Sequence, residues 1–245
     1  MAAPVVPMVT LSPNFARLPP AQRQLWPELR PSVELGFVLY GGTAISLHLG
    51  HRRSVDFDFF RDRALAQDEI RAAFAFIRRA MTLQDAKDTL VVMVPGTGPG
   101  SRRRGSDSVK VSFFGGMSFG RVADPLLCDD GVIRVASLDD LMAHKLKVIL
   151  QRSEKKDYQD ISAMIRAGCQ VARGLAAARL FFGNAFQPAA SLKALTYFRD
   201  GDLGSLSGAD RNTLIEAAKS VRALPRIALR SKKLAPAQRR GQVLP

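Results

Sequence analysis

The chain is poor in the residues that build metal clusters and disulfides, with two cysteines and three histidines in 245 residues. Cys128 and Cys169 lie far apart and match no metal-binding or redox spacing. That excludes a disulfide framework and suits a reducing compartment. His48 and His51 stand three residues apart, but a zinc site there lacks a third ligand. His144 reads as a histidine at the edge of a core. No Gly-x-Ser-x-Gly turn and no Ser, His and Asp arrangement points to a hydrolase. Uninterrupted apolar runs are too short to span a bilayer. The opening residues, MAAPVVPMVTLSP, carry no basic segment and are broken by Pro4 and Pro7, so no secretory signal is expected and the chain reads as cytoplasmic. The Gly-rich stretch Pro95 to Ser106 lacks the Gly-Lys-Ser/Thr ending of a P-loop. Aromatics form 7% of the residues and do not interleave with the basic clusters, so no stacking platform for single strands is evident.

Acidic residues are also scarce beside basic ones: 22 against 36, a formal net charge of +14. The basic residues cluster at Arg52-Arg53, at Arg102-Arg103-Arg104, and from Arg222 to Arg240. Such a balance is a statement about partners, here polyanions, and favours an RNA-sized acceptor over a small molecule. The apolar fraction, 47%, is that of an ordinary globular protein, and the length suits one large domain or two small ones.

The run Phe37 to Phe60, FVLYGGTAISLHLGHRRSVDFDFF, is where chemistry concentrates. It reads as a short apolar strand, a Gly41-Gly42-Thr43 turn, one or two helical turns, and a second strand. Alternation puts Asp56 and Asp58 on one face of that strand and sends Val55, Phe57 and Phe59 into a core. Adjacent carboxylates repel unless a cation sits between them, and Mg²⁺ is commonly held by one or two carboxylates plus substrate phosphates. Glycines let backbone approach a phosphate, and the N–H groups opening the next helix favour an anion.

A second constellation lies in Ser137 to Ile165, SLDDLMAHKLKVILQRSEKKDYQDISAMI. Ser137 and Asp140 form a capping-box variant that fixes a helix start. Leu138, Leu141, Met142, Val148 and Ile149 make an apolar stripe into which Lys145 intrudes. Asp157 takes the equivalent place on the next helix, in register with Ile161, Met164 and Gly168. An ammonium carried towards a core needs a partner or a cleft. Two readings stay open: an internal Lys–Asp salt bridge, or one functional site.

The first run resembles the DNA polymerase beta-like nucleotidyltransferases, whose first motif is Gly-Gly-Ser or Gly-Gly-Thr followed by Asp-x-Asp. Its basic His-Arg-Arg-Ser stretch is similar to the AbiEii/AbiGii toxin branch, and so is the second run, with its Lys, Arg and Asp-aromatic-x-Asp. The resemblance implies an α+β fold, a small mixed-sheet nucleotidyltransferase core followed by a helical C-terminal region. It also implies attack of an acceptor hydroxyl on the α-phosphate of a nucleoside triphosphate, with a tRNA 3′ end as the acceptor that the charge suits and a cognate antitoxin as partner. Mg²⁺ would be held by Asp56 and Asp58. Asp157 is the candidate base and Lys145 the contact to the nucleotide phosphates. Gly41, Gly42 and Thr43 would seat the triphosphate, with Arg53 and Ser54 as further contacts and Arg152 and Lys156 in reserve. One departure stands out: where the superfamily offers a third carboxylate, this chain has Ser112, with Lys110 on the same face. That puts two-metal chemistry in doubt and keeps two alternatives alive: modification of a protein hydroxyl, and a catalytically degenerate protein that binds RNA or an antitoxin.

Residues 1–30 read as a loose arm and a helix, with a helical stretch from Ala21 to Leu35 interrupted by Pro27 and Pro31. Residues 31–136 carry the core, with an amphipathic helix over Asp68 to Ala80 and strands at Leu90 to Val94, Val109 to Phe114 and Val132 to Val135. Residues 137–221 are helical and complete the site. Residues 222–245 form a basic, Pro-punctuated tail with no clear period, expected to be disordered.

Overall fold

The computed structural model describes residues 10–96 and 108–237. The Arg102-Arg103-Arg104 cluster, the first nine residues and the tail beyond residue 237 lie outside them. A mixed eight-stranded sheet runs β1 (Thr10–Leu11), β7 (Leu126–Cys128), β8 (Arg134–Val135), β2 (Val38–Tyr40), β3 (Asp56–Phe60), β6 (Val109–Phe114), β5 (Thr89–Val94) and β4 (Met81–Ala86). Five helices lie within or before the sheet-forming half or open the helical half: α1 (Pro20–Leu25), α2 (Pro31–Glu34), α3 (Gly41–Leu49), α4 (Gln67–Ala73) and α5 (Leu138–Val148). The chain continues through α6 (Lys155–Arg166), α7 (Val171–Phe182), α8 (Pro188–Leu195) and α9 (Gly208–Ser220). This is the mixed-sheet front and helical back that the sequence implied.

β3 is central because both neighbours fix its register. Tyr40 of β2 lies opposite Asp58, while Lys110 and Ser112 of β6 lie beside Asp56 and Asp58. Phe57 and Phe59 turn the other way and are fully buried, packing with Phe37, Phe113 and Trp26. Each buried aromatic contributes roughly 150–250 Å² of covered surface, so this one layer fixes which face of β3 is left for chemistry. α5 starts where the capping box said it would, with the Ser137 hydroxyl accepting from the Asp140 N–H at 3.1 Å.

Several expectations need correcting. Val55 does not enter the core. It precedes the first paired residue of β3 and is 52% exposed, because alternation holds only within the paired strand. The expected helix over Asp68 to Ala80 breaks at Phe74, whose extended backbone separates α4 from a 3-10 turn at Ala75–Arg79. Ile70, Phe74 and Ile77 are buried all the same. β4, exposed along its whole length, has no apolar alternation to announce it, and it pairs as the outer arm of a hairpin with β5. Residues 222–237 form neither helix nor strand, yet they are held in place, not loose. The Arg121 guanidinium donates to the Lys233 carbonyl, Leu234 is buried, and its N–H donates to Asp62 at 3.1 Å. Among the described residues no helix is long and apolar enough to cross a membrane.

Candidate active site

Asp56 and Asp58 project from the same face of β3 and meet different surroundings. Asp56 is partly exposed and its Oδ2 lies 3.2 Å from the Lys110 ammonium. Asp58 is more enclosed. Burial, and then the charge of Asp56, push its carboxyl above the ordinary value, against the opposing pull of Lys110, the Ser112 hydroxyl and Lys145. Gly41 opens α3 directly over this carboxylate. Its φ of 78° lies in the left-handed region, and a Cβ there would stand 2.7 Å from Asp58 Oδ2. Only glycine fits. A Cβ on Gly42 would meet the Arg52 guanidinium at 2.4 Å and the Ser54 hydroxyl at 3.0 Å. The Thr43 hydroxyl is buried and donates to the Asp56 carbonyl, so its side chain ties α3 to β3 while its N–H stays with the helix N-terminus.

The helical half is built differently. Lys145 sits 2.7 Å from both Asp157 and Asp160, and all three are buried. Asp157 also receives Arg152 at 2.8 Å, and Asp160 receives His51 at 2.7 Å and the Arg52 guanidinium through two contacts at 2.6 and 2.8 Å. Burial opposes ionisation of Asp157, but the hydrogen bond from Arg152 and the charge of Lys145 outweigh it and hold the carboxyl below its ordinary value. Burial is likewise overcome at Asp160, where His51, Lys145 and Arg52 hold the carboxyl far down.

Residues 28–238 match the family profile described as nucleotidyl transferase AbiEii toxin, type IV toxin–antitoxin system. The chain belongs to this AbiEii family. A protein of Aquifex aeolicus (strain VF5), uncharacterized in function, is 31% identical over 132 residues, and the match spans 53% of this chain and 58% of that protein. The AbiEii chain therefore aligns with little more than half of that relative's length. Two solved structures share the fold. The nucleotidyltransferase toxin MenT4 from Mycobacterium tuberculosis H37Rv gives a TM-score of 0.56 at 16% identity, covering 83% of each chain. A candidate nucleotidyltransferase from H. pylori gives 0.53 at 14% identity, covering 81% of this chain and 92% of that one.

The AbiEii site thus gathers the residues singled out in sequence into two connected groups. Gly41 lies against Asp58 and Gly42 against Ser54, with Asp56 two residues before Asp58 on the same strand. Lys145, Arg152 and Asp157 meet between α5 and α6, and the electrostatic influence of Asp58 on Arg152 shows the groups to be neighbours. Arg53 is exposed, and its backbone carbonyl accepts from Arg52. Lys156 pairs with Glu154 at 2.6 Å and stands outside both groups. His48 donates its Nε2–H to the Ala136 carbonyl, 2.9 Å away, while His51 serves Asp160, so the two do not face one metal. His144 lies among Tyr40, Phe119, Phe181 and Phe182, and burial lowers its pKa to about 3. Asp160, the second acid of the Asp-aromatic-x-Asp motif, had no role assigned from sequence. The signal was there: it stands three residues after Asp157, hence on the same helix face.

Proposed function

We propose that this chain is a Mg²⁺-dependent nucleotidyltransferase toxin that joins a nucleotide to an acceptor hydroxyl, with a tRNA 3′ end as the acceptor class its charge favours. The observation that carries the reading is Gly41, held without a side chain against the Asp58 carboxylate, which brings the start of α3 onto the carboxylate face of β3. The donor set fits a hard divalent ion: two carboxylates on one face, one of them held above its ordinary pKa by burial and by its neighbour's charge. Asp56 and Asp58 would hold it, and when bound it would offset phosphate charge and polarise the phosphoryl oxygens.

The chain's own residues do the rest. The N–H groups of Gly41, Gly42 and Thr43 open α3 and receive the anionic phosphates, aided by the helix dipole. Arg53, exposed beside this end, adds positive charge, and Ser54 a hydroxyl. Lys145 and Asp157, first read as phosphate contact and base, are better placed as a brace. A lysine held between two carboxylates has two of its three N–H donors committed and its charge largely offset, and a carboxyl kept below its ordinary value by Lys145 and Arg152 is a weak base. Through His51, Arg52 and Asp160 this brace fixes the loop between α3 and β3, which positions Ser54 and Asp56.

One observation favours a non-catalytic reading. The Ser112 hydroxyl and the Lys110 ammonium already attend Asp58 and Asp56. The test is incubation with each α-labelled triphosphate, Mg²⁺ and total bacterial RNA. A labelled band of tRNA size is expected, lost in Asp58→Asn, while salt-sensitive RNA binding persists because it rests on phosphate contacts. Label on protein alone would favour a protein acceptor. No label on either, with RNA binding intact, would favour the binder.

A further inference from the structure

The cations around the carboxylate face differ in how far they are committed. Lys145 is held by Asp157 and Asp160, Arg52 by Asp160, Arg152 by Asp157 and Lys156 by Glu154. Lys110 is another matter. Parallel pairing of β3 and β6 sets it beside Asp56 and sets Ser112 beside Asp58, so both point to the carboxylates' side of the sheet. Its Nζ touches one oxygen of Asp56 at 3.2 Å, with the two side chains 38% and 37% exposed. Among the cations acting on Asp58 its influence exceeds that of Lys145, although Lys145 carries the family motif.

An ion pair this exposed contributes little to folding, so stability does not account for a lysine stationed on a metal-binding carboxylate. Its consequence is electrostatic. The ammonium supplies positive charge to a pair of repelling carboxylates, and a divalent ion approaching Asp56 must displace it, since two cations on one oxygen repel. Lysine is suited to such a move: a compact point charge on a flexible four-carbon stem. A polyphosphate seated at the N-terminus of α3, as the reading above has it, would be the next negative charge for it to meet. β6 lies two strands from β2, roughly 10 Å away, a gap that the phosphates and the stem close from opposite sides.

Resting on the nucleotidyltransferase reading above, we propose that Lys110 is the resident counter-ion of the Asp56–Asp58 pair and becomes a phosphate-binding residue when a divalent ion and nucleotide arrive. The role predicts opposite shifts in two equilibria. Lys110→Met removes a competitor and a repelling charge, so nucleotide-free protein binds Mn²⁺ about tenfold more tightly. The same change removes a charge-assisted phosphate contact, so a Mg²⁺-loaded triphosphate analogue with an uncleavable α,β bridge binds about tenfold more weakly.

Mn²⁺ binding is read by electron paramagnetic resonance and analogue binding by calorimetry, on the full chain without acceptor. Lys110 is half-exposed, so Lys110→Met and Lys110→Gln should melt within a few degrees of the parent. Lys110→Arg keeps the charge and should hold analogue affinity to within a few-fold. Tighter Mn²⁺ with weaker analogue in both neutral variants is the expected result. Both equilibria unchanged, or both weakened together, overturns the inference. Asp58→Asn separates it from the reading beneath. Mn²⁺ binding that survives Asp58→Asn overturns the metal site and this inference with it. Mn²⁺ binding that needs Asp58 but ignores Lys110 overturns this inference alone.

Discussion

The strand half and the helix half of the site contain the same kinds of side chain, carboxylates and ammoniums, in opposite states. On β3 two carboxylates face one half-exposed lysine and a hydroxyl, and burial with mutual repulsion raises the Asp58 pKa. Between α5 and α6 two buried carboxylates are surrounded by Lys145, Arg152, Arg52 and His51, and both pKa values fall. Charge that is already balanced has little reason to accept a ligand. Charge left short of a partner does. On the proposed reading, binding belongs to the strands and bracing to the helices, even though the lysine of the family motif lies on a helix.

The hardest blow to this contrast is Lys145→Met. Removing the ammonium takes one counter-ion from each of two buried carboxylates, leaving Asp157 with Arg152 and Asp160 with Arg52 and His51, and costs on the order of 3 kcal/mol. In a chain of this length that is a fall in melting temperature of roughly 10 °C. Asp56→Asn with Asp58→Asn should do the opposite, leaving the protein as stable or slightly more so without ligand, because a like-charge repulsion disappears. Thermal melts of both variants at neutral pH, without nucleotide, decide the matter. A parent-like melt for Lys145→Met would remove the brace and return that lysine to chemistry.

A smaller effect follows from pH. Asp157 and Asp160 have folded pKa values below their unfolded ones, so their stabilisation is complete above about pH 4, the unfolded value, and is lost as pH falls from there towards the folded values. Asp58, shifted upward, acts with the opposite sign: its penalty grows as pH rises above about 4 and is relieved by protonation. Denaturant unfolding from pH 7 to 3 should therefore show stability falling below about pH 4, by up to about 1.4 kcal/mol per pH unit for each titrating group. Asp160→Asn, already destabilised, should fall less steeply over that range. Parallel curves would mean that Asp160 is not held as described.

What the sequence disclosed follows from how far each interaction reaches along the chain. Gly41, Gly42, Asp56 and Asp58 lie within one β-turn-α-β unit, so alternation and turn chemistry located them, and the Ser137 cap marked α5 to the residue. Lys145 and Asp157 were visible as charges out of place in apolar stripes. Their commitment to a brace was not, because it depends on Asp160 meeting His51 and Arg52 across more than a hundred residues. Arg61 hid although its partners are nearer in sequence: its buried guanidinium stacks on Phe37, pairs with Glu69 and donates to the Ala64 carbonyl, none of which periodicity reports. β4 carries no burial pattern, and the tail's anchor at Arg121 is a long-range contact to backbone carbonyls. Periodicity records which side of an element is buried. It does not record what comes to meet it.

The smallest expected effect tests how nearly the strand half is balanced by the protein alone. Ser112 is buried beside Asp58 and its hydroxyl favours the ionised carboxylate. Ser112→Ala deletes that donor and leaves a void smaller than a water molecule, so the folded state should lose about 1 kcal/mol or less. The Asp58 pKa should move further up, in the direction that burial and Asp56 already push it, while Asp157 and Asp160 should not respond because their partners are untouched. Carboxyl carbon shifts followed by NMR through an acid titration resolve the residues separately. A shift confined to Asp58 would confirm that the two halves are electrostatically distinct despite being neighbours. A matching shift at Asp157 would join them into a single network and dissolve the contrast between strand and helix.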